Sequence, residues 1–388
     1  MSRNLGPFVL VLVSACASTV LATAQSASSP TDQSVQSSSS PVAFIYVVNA
    51  PSSGKNQITG YAAASDGSLS TIPGTPFSTP IGDVALNGAW LFGTDGKNIE
   101  SFSIAANGSL KPVDTLEVEP DGGLTNLFLD HTGTSLYADY FTENNEELAY
   151  SIDNSTGKLT YLDNIMAGPG FGYVESFVGD DEYAYESSCY HFTPEIYGIH
   201  RSGDGAITML NANQPFPIAP SGDTYCPWSA AADPTNHLAI AMQPLNSNFT
   251  PVGPYQLATY TVDTAGQLST TSTYKNMPTT EAAGARGSQT GYLTDYWMSP
   301  SGKFLAVAGT TGLQVFHFNG ANPITKYTGL LVSDVVNQVF WDNSNHLYAI
   351  GNTAGKLWVF TVTATSVTQA PGSPHSITSP GDMIVLPK

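Results

Sequence analysis

Apolar and polar positions follow one another in runs too short for helices. From Met298 to Tyr327, a Ser299-Pro300-Ser301-Gly302 turn leads into the apolar run Phe304 to Ala308, which has the length of a buried strand. A Gly-centred loop follows, then Leu313, Val315, Phe316 and Phe318 on an alternating strand, then another turn and a short outer strand. No helical period intervenes, so the stretch predicts a meander of strands. A sheet of this size is marginal in water by itself and must stack on copies of itself.

The turn-plus-strand unit recurs at Leu129 to Tyr137, Ala232 to Leu238 and Trp341 to Tyr348, with weaker versions at Leu86 to Phe92 and Phe177 to Tyr185 and the strand without its turn at Phe44 to Val48. A second signal, the turn before each outer strand, recurs independently at Asp66-Gly67-Ser68-Leu69, Asn107-Gly108-Ser109-Leu110, Thr156-Gly157-Lys158-Leu159, Asp204-Gly205-Ala206-Ile207 and Ala265-Gly266-Gln267-Leu268. Degenerate forms stand at Asn322-Pro323-Ile324 and Thr365-Ser366-Val367. Both series count seven modules, at a period of roughly 40 to 60 residues, the range of propeller blades. The expected fold is therefore all-β, a seven-bladed β-propeller. Met383 to Leu386 is a lone apolar strand at the C-terminus, and the first module lacks the strand before Phe44. Joining these facts puts Met383 to Leu386 innermost in the first blade, so that the two chain ends close the ring and no sheet edge is left bare.

Composition narrows the function classes. Only 11% of the 388 residues are charged, with 12 Lys and Arg against 31 Asp and Glu, a net charge of −19. Such a surface repels phosphate backbones and anionic headgroups, so neither nucleic acid nor a membrane surface is the expected partner. Met1 to Ala24 reads as an export signal peptide: Arg3, an apolar run from Phe8, then the small residues Ala22-Thr23-Ala24. It is too short and interrupted to be a transmembrane segment. Val13-Ser14-Ala15-Cys16 offers a rival reading, a lipoprotein box with Cys16 carrying the lipid, although Thr19 to Ala22 remains apolar where a tether should be polar. The expected location is thus outside the cytoplasm, secreted or periplasmic, with a lipid anchor as the alternative. Gln25 to Pro41, rich in Ser, Gln and Pro, cannot bury enough surface to order itself and reads as a disordered spacer. The propeller then spans Val42 to Lys388, and a monomer is expected.

Past the leader only Cys189 and Cys226 remain, an even pair suited to an oxidising compartment. The repeat places Cys189 after the second strand of blade 4 and Cys226 before the first strand of blade 5, on loops that share a face. A disulfide between adjacent blades and two buried free thiols are both compatible with that placement.

The strand Tyr46-Val47-Val48-Asn49, the Asn-Gly-Ser-Leu turn and the Pro73-Gly74-Thr75-Pro76-Phe77 segment, echoed at Pro371-Gly372-Ser373-Pro374, resemble the lactonase-type seven-bladed propellers. That family includes 6-phosphogluconolactonases of the propeller type and carboxymuconate cyclases, and overlaps the Tyr-Val-Thr-Asn (YVTN) repeat proteins. The resemblance covers Val42 to Lys388 and implies an inner strand that opens on Pro-Arg-His or Pro-His-His, with His and basic groups facing an anionic substrate. Counting back from each turn by alternate residues instead assigns Ile81, Asn126, Tyr173, Ser229, Asp295 and Gln338 to the channel, and Asp83, Phe128, Glu175, Ala231, Trp297 and Phe340 after them. No His or Arg is among them.

A lactonase needs a base and a positive group for the oxyanion. The residues on offer are Glu175 or Asp295 as base, and Arg286, on the long insertion Lys275 to Thr294, as electrophile. The competing reading leaves those carboxylates solvated and Arg286 on a loop surface. No zinc pattern, phosphate loop or nucleophile elbow is present, and no cofactor is expected. Asp83, Glu175 and Asp295 form the set that would hold calcium if one bound. Two functions follow: a binding or scaffold propeller presenting Asn126, Tyr173, Trp228, Trp297, Gln338 and Asp83 to a neutral glycan, peptide or other small molecule, or a metal-independent lactone hydrolase. The first is preferred.

Overall fold

The computed structural model describes residues 40–118, 123–141, 146–166, 176–190, 193–210, 214–284 and 291–388. These form seven antiparallel sheets, the all-β, seven-bladed ring that the repeat count predicts. Blade 1 carries Pro380–Pro387 innermost, then Ala43–Asn49, Gln57–Ala63 and Leu69–Thr71. Blade 2 runs Asp83–Asn87, Trp90–Thr94, Asn98–Ile104 and Leu110–Glu117; blade 3 runs Leu124–Leu129, Ser135–Tyr140, Glu146–Asp153 and Lys158–Met166. Blade 4 comprises Ser176–Phe177, Tyr183–Tyr190, Thr193–Arg201 and Ile207–Met209, and blade 5 comprises Thr224–Ala232, His237–Leu245, Gln256–Val262 and Leu268–Ser269. Blade 6 is built from Leu293–Met298, Phe304–Gly309, Gly312–Asn319 and Asn322–Lys326, and blade 7 from Gln338–Trp341, His346–Gly351, Lys356–Val362 and Val367–Gln369.

Closure is as the terminal strand predicts. The C-terminal strand pairs antiparallel with Ala43–Asn49 from Ala43↔Pro387 through Val47↔Met383, so blade 1 is made from both ends of the chain. The apolar core lies between blades rather than within any one sheet. Ala231, Leu257, Tyr296 and Leu305 cluster across blades 5 and 6, while Phe44, Tyr46, Ile81 and Leu91 cluster across blades 1 and 2. Each module covers its neighbour's apolar face, which is why one sheet would not hold alone.

The recurring outer turn has a part in that stacking. Gly108 sits at φ 83°, a conformation that favours glycine, and a Cβ there would come within 2.7 Å of Ile72 and 3.0 Å of Phe44 in blade 1. Its carbonyl accepts the Tyr46 hydroxyl at 2.7 Å. The same lock recurs from Tyr137 to Gly205 at 3.0 Å and from Tyr185 to Gly266 at 2.7 Å, each from a second-strand tyrosine to the outer turn of the next blade.

Cys189 and Cys226 are joined, with Cα atoms 5.4 Å apart. Both lie inside strands rather than in loops, Cys189 near the end of Tyr183–Tyr190 and Cys226 in Thr224–Ala232. The bridge ties the second strand of blade 4 to the inner strand of blade 5.

Candidate functional site: the channel mouth

Every inner strand begins on the face that also carries the hairpins between second and third strands, so its first side chains surround one end of the channel. At this mouth Asp295, Gln338, Asp382, Asp83 and Asn126 occupy one level in successive blades. They do so by a repeated contact. Asp295 accepts the Val339 N–H at 2.6 Å, Gln338 accepts the Met383 N–H at 2.6 Å, and Asp382 accepts the Val84 N–H at 2.7 Å. Each is a side chain on one inner strand capping the backbone of the next, and the Gln338 amide also donates to Asp382. The second oxygen of Asp295 accepts the Tyr296 N–H at 2.7 Å.

This register corrects the assignment in blade 2. Asp83 pairs with Thr94 at the start of the strand, whereas Ile81 is fully buried in the core of blades 1 and 2. The tight hairpin, with Asn87 opposite Trp90, starts two residues later than the apolar pattern suggests. Ala231 likewise belongs to the core between blades 5 and 6.

Burial shapes the electrostatics. Asp382 is 8% exposed, and desolvation, reinforced by the Asp83 charge, pushes its carboxyl up to about 7 against its three donors. Burial also raises Asp83. Among the described residues, Asp83 accepts no hydrogen bond, which leaves its oxygens available to the channel. Asn126 has a positive φ of 30°, unusual outside glycine but tolerated by Asn, and a register shift beside it turns its side chain toward Asp139 on the second strand.

Aromatic residues border this mouth. Trp228 is 44% exposed, yet its indole N–H donates to the Leu293 carbonyl at 3.2 Å and its ring packs edge-on to Tyr255 at 6.3 Å. A register shift between Pro227 and Ala230 lifts it off the strand. Trp297 is half-buried one level deeper, 4.6 Å from Phe340, and its carbonyl accepts the Trp341 indole at 3.1 Å. Tyr292, also exposed, immediately precedes the inner strand of blade 6.

Tyr173, Glu175 and Arg286 lie outside the described residues. Among the described residues no His or Arg stands on an inner strand, and no three acidic, His or Cys side chains are arranged to hold a metal ion. Sequence reasoning missed Asp382, Asp139, Glu147 and Glu186. Asp382 precedes the apolar run used to place the last strand, and the other three stand on second and third strands, where an acid at a core-facing position was the available signal.

The fold as a whole recurs in solved structures. The fold is a seven-bladed β-propeller similar to theirs. A Bacteroides fragilis protein provisionally named a 6-phosphogluconolactonase superimposes with a TM-score of 0.66 at 13% identity, over 90% of this chain and 99% of that one. A Bacteroides uniformis protein of the same provisional name gives 0.66 at 13% over 90% and 100%, and a Lactobacillus plantarum protein gives 0.63 at 12% over 89% and 99%. No protein-family model matches this chain, and no curated protein matches it by sequence.

Proposed function

We propose that this chain is an exported binding propeller that takes a neutral glycan or a peptide at the channel mouth. The observation that carries the reading is Trp228, a large ring kept open to solvent while its N–H and edge are pinned by Leu293 and Tyr255. A ring held in this way loses little freedom when a sugar face or peptide side chain stacks on it. Gln338, Asn126 and the protonatable carboxyls beside it supply hydrogen-bond partners without a fixed charge to neutralise. The oxygens of Asp295 and Asp382 already accept backbone N–H groups, which favours a scaffolding role for them over proton transfer. The leader, the spacer and the cystine support action outside the cytoplasm.

Titration of the purified chain against a panel of neutral oligosaccharides and peptides, followed by calorimetry, tests this. Trp228→Ala should weaken the binding found by about tenfold or more, equivalent to about 1.4 kcal/mol. Unchanged affinity would remove the site from Trp228.

One observation favours a second reading. Asp83 faces the channel with its oxygens uncommitted and its carboxyl raised, the state of a general base. Lactone hydrolysis, with Asp83 in place of or beside Glu175 or Asp295 and with Arg286 as electrophile, would use it. A phosphorylated lactone suits this acidic mouth poorly, so unphosphorylated lactones are the substrates to assay. Turnover abolished by Asp83→Asn, Glu175→Gln or Asp295→Asn would replace the binding reading.

A further inference from the structure

Behind the mouth, three carboxyl groups meet where blade 3 packs on blade 4. Asp139 stands directly opposite Glu147 on adjacent strands of blade 3. Alternation puts both on the face of Tyr137, Ala149 and Ile165, and puts Glu186 of blade 4 on the face of Ala184; these two faces form one core cluster. Asp139, Glu147 and Glu186 are 6%, 5% and 3% exposed. One oxygen of Asp139 and one of Glu147 are buried without a hydrogen-bond partner, as is the Thr125 hydroxyl opposite Asp139. Yet the two carboxyl groups stand opposite each other on paired strands and act on one another. Ionised carboxylates only accept, so two of them face to face repel and leave both oxygens unmet. A single hydrogen between them turns one into a donor and satisfies the other.

Among the described residues, the groups that act on the pair offer no countercharge. Asp83 acts on Asp139 from blade 2, Glu186 acts on Glu147 from blade 4, and the Asn126 amide reaches Asp139 as a neutral polar partner. Arg201, on the third strand of blade 4, is committed at the opposite end of the seam, where it pairs with Asp130 at 2.8 Å and donates to the Tyr137 hydroxyl at 3.0 Å.

We infer that the blade 3 to blade 4 seam is a proton-operated clasp: one hydrogen shared by Asp139 and Glu147 within blade 3 spares that face a second buried negative charge against Glu186 of blade 4, and its loss sets like charges against each other across the seam and loosens it. The clasp is independent of which ligand the mouth takes. Burial pushes Asp139 up to about 7 and holds Glu147 well above the usual carboxylate range, with the Asp139 charge adding to the effect. Both carboxyls return to ordinary values near 4 once the seam opens. The closed seam therefore binds the extra proton, and its advantage is full below about pH 4 and lost as pH rises through about 7.

Hydrogen exchange of the amides in Ser135–Tyr140, Glu146–Asp153 and Tyr183–Tyr190, corrected for intrinsic rates, measures the opening. In the full chain the opening constant should rise by roughly tenfold per pH unit between pH 5 and 7 and level off above that. Glu147→Gln gives Asp139 a permanent amide donor, and Asp139→Asn does the same for Glu147; either should flatten the rise. A wild-type seam whose protection is independent of pH overturns the clasp. So does a rise that persists in both variants, or one that millimolar calcium reverses, which would make the cluster a cation site. Should neither variant fold, the wild-type profile and its response to calcium decide.

Discussion

Both oxygens of Asp382 are occupied by donors, with Val84 N–H at 2.7 Å on one and Met383 N–H and the Gln338 amide on the other. Replacement by Asn puts an NH2 group against one of these donors, and a buried unmatched polar contact costs about 1 to 3 kcal/mol. Asp382→Asn should therefore lower stability in urea by that order at pH 8. Asp382 is raised to about 7 when folded, so its protonation stabilises the native state below the ordinary carboxylate pKa, and that contribution disappears as pH climbs through about 7. The difference between wild type and Asp382→Asn should accordingly widen as pH falls from 8 to 5, which paired urea titrations would measure. Asn126, Asp295 and Gln338 could be placed at one level from alternation alone, because the distance from turn to channel is uniform in their blades. Asp83 could not, because a tighter hairpin moves its strand by two residues while leaving the apolar pattern intact.

Among the elements, the outer turns were legible for a local reason. Gly at positive φ flanked by Asn, Asp or Ser is a property of four residues, and Asn107 shows it directly by accepting the Ser109 N–H at 3.1 Å. What those turns contact was not legible, since the tyrosine that reaches each one lies 62 to 81 residues away in sequence. The cystine is a similar case. An even pair of cysteines past the leader-like segment points to a bridge, but that the bridge joins a second strand to an inner strand depends on blade packing. With its cysteines 37 positions apart in sequence, it should stabilise the fold by about 4 kcal/mol. Reduction under native conditions should lower the denaturation midpoint correspondingly, and denatured, unreduced protein should show no thiol beyond Cys16. Labelling of both Cys189 and Cys226 in that experiment would contradict the bridge.

The whole ring is closed by one strand. Pro380–Pro387 pairs with Ala43–Asn49 and supplies Asp382 to the mouth, so its removal exposes a sheet edge on each side of the gap and breaks the inner-strand chain of contacts at once. Deleting Gly381 to Lys388 should abolish cooperative unfolding, and a truncated chain that melts like the full one in calorimetry would refute the closure as a source of stability. Fold class, blade number and closure were all determined by the sequence alone, because each depends on periodicity and turn chemistry repeated many times along the chain. The acidic layers at the mouth were decided only by the tertiary structure. Asp382, Asp83 and Asp139 are hundreds of residues apart or in different blades, and their shared burial, which sets their charge, exists only once the ring has brought their strands side by side.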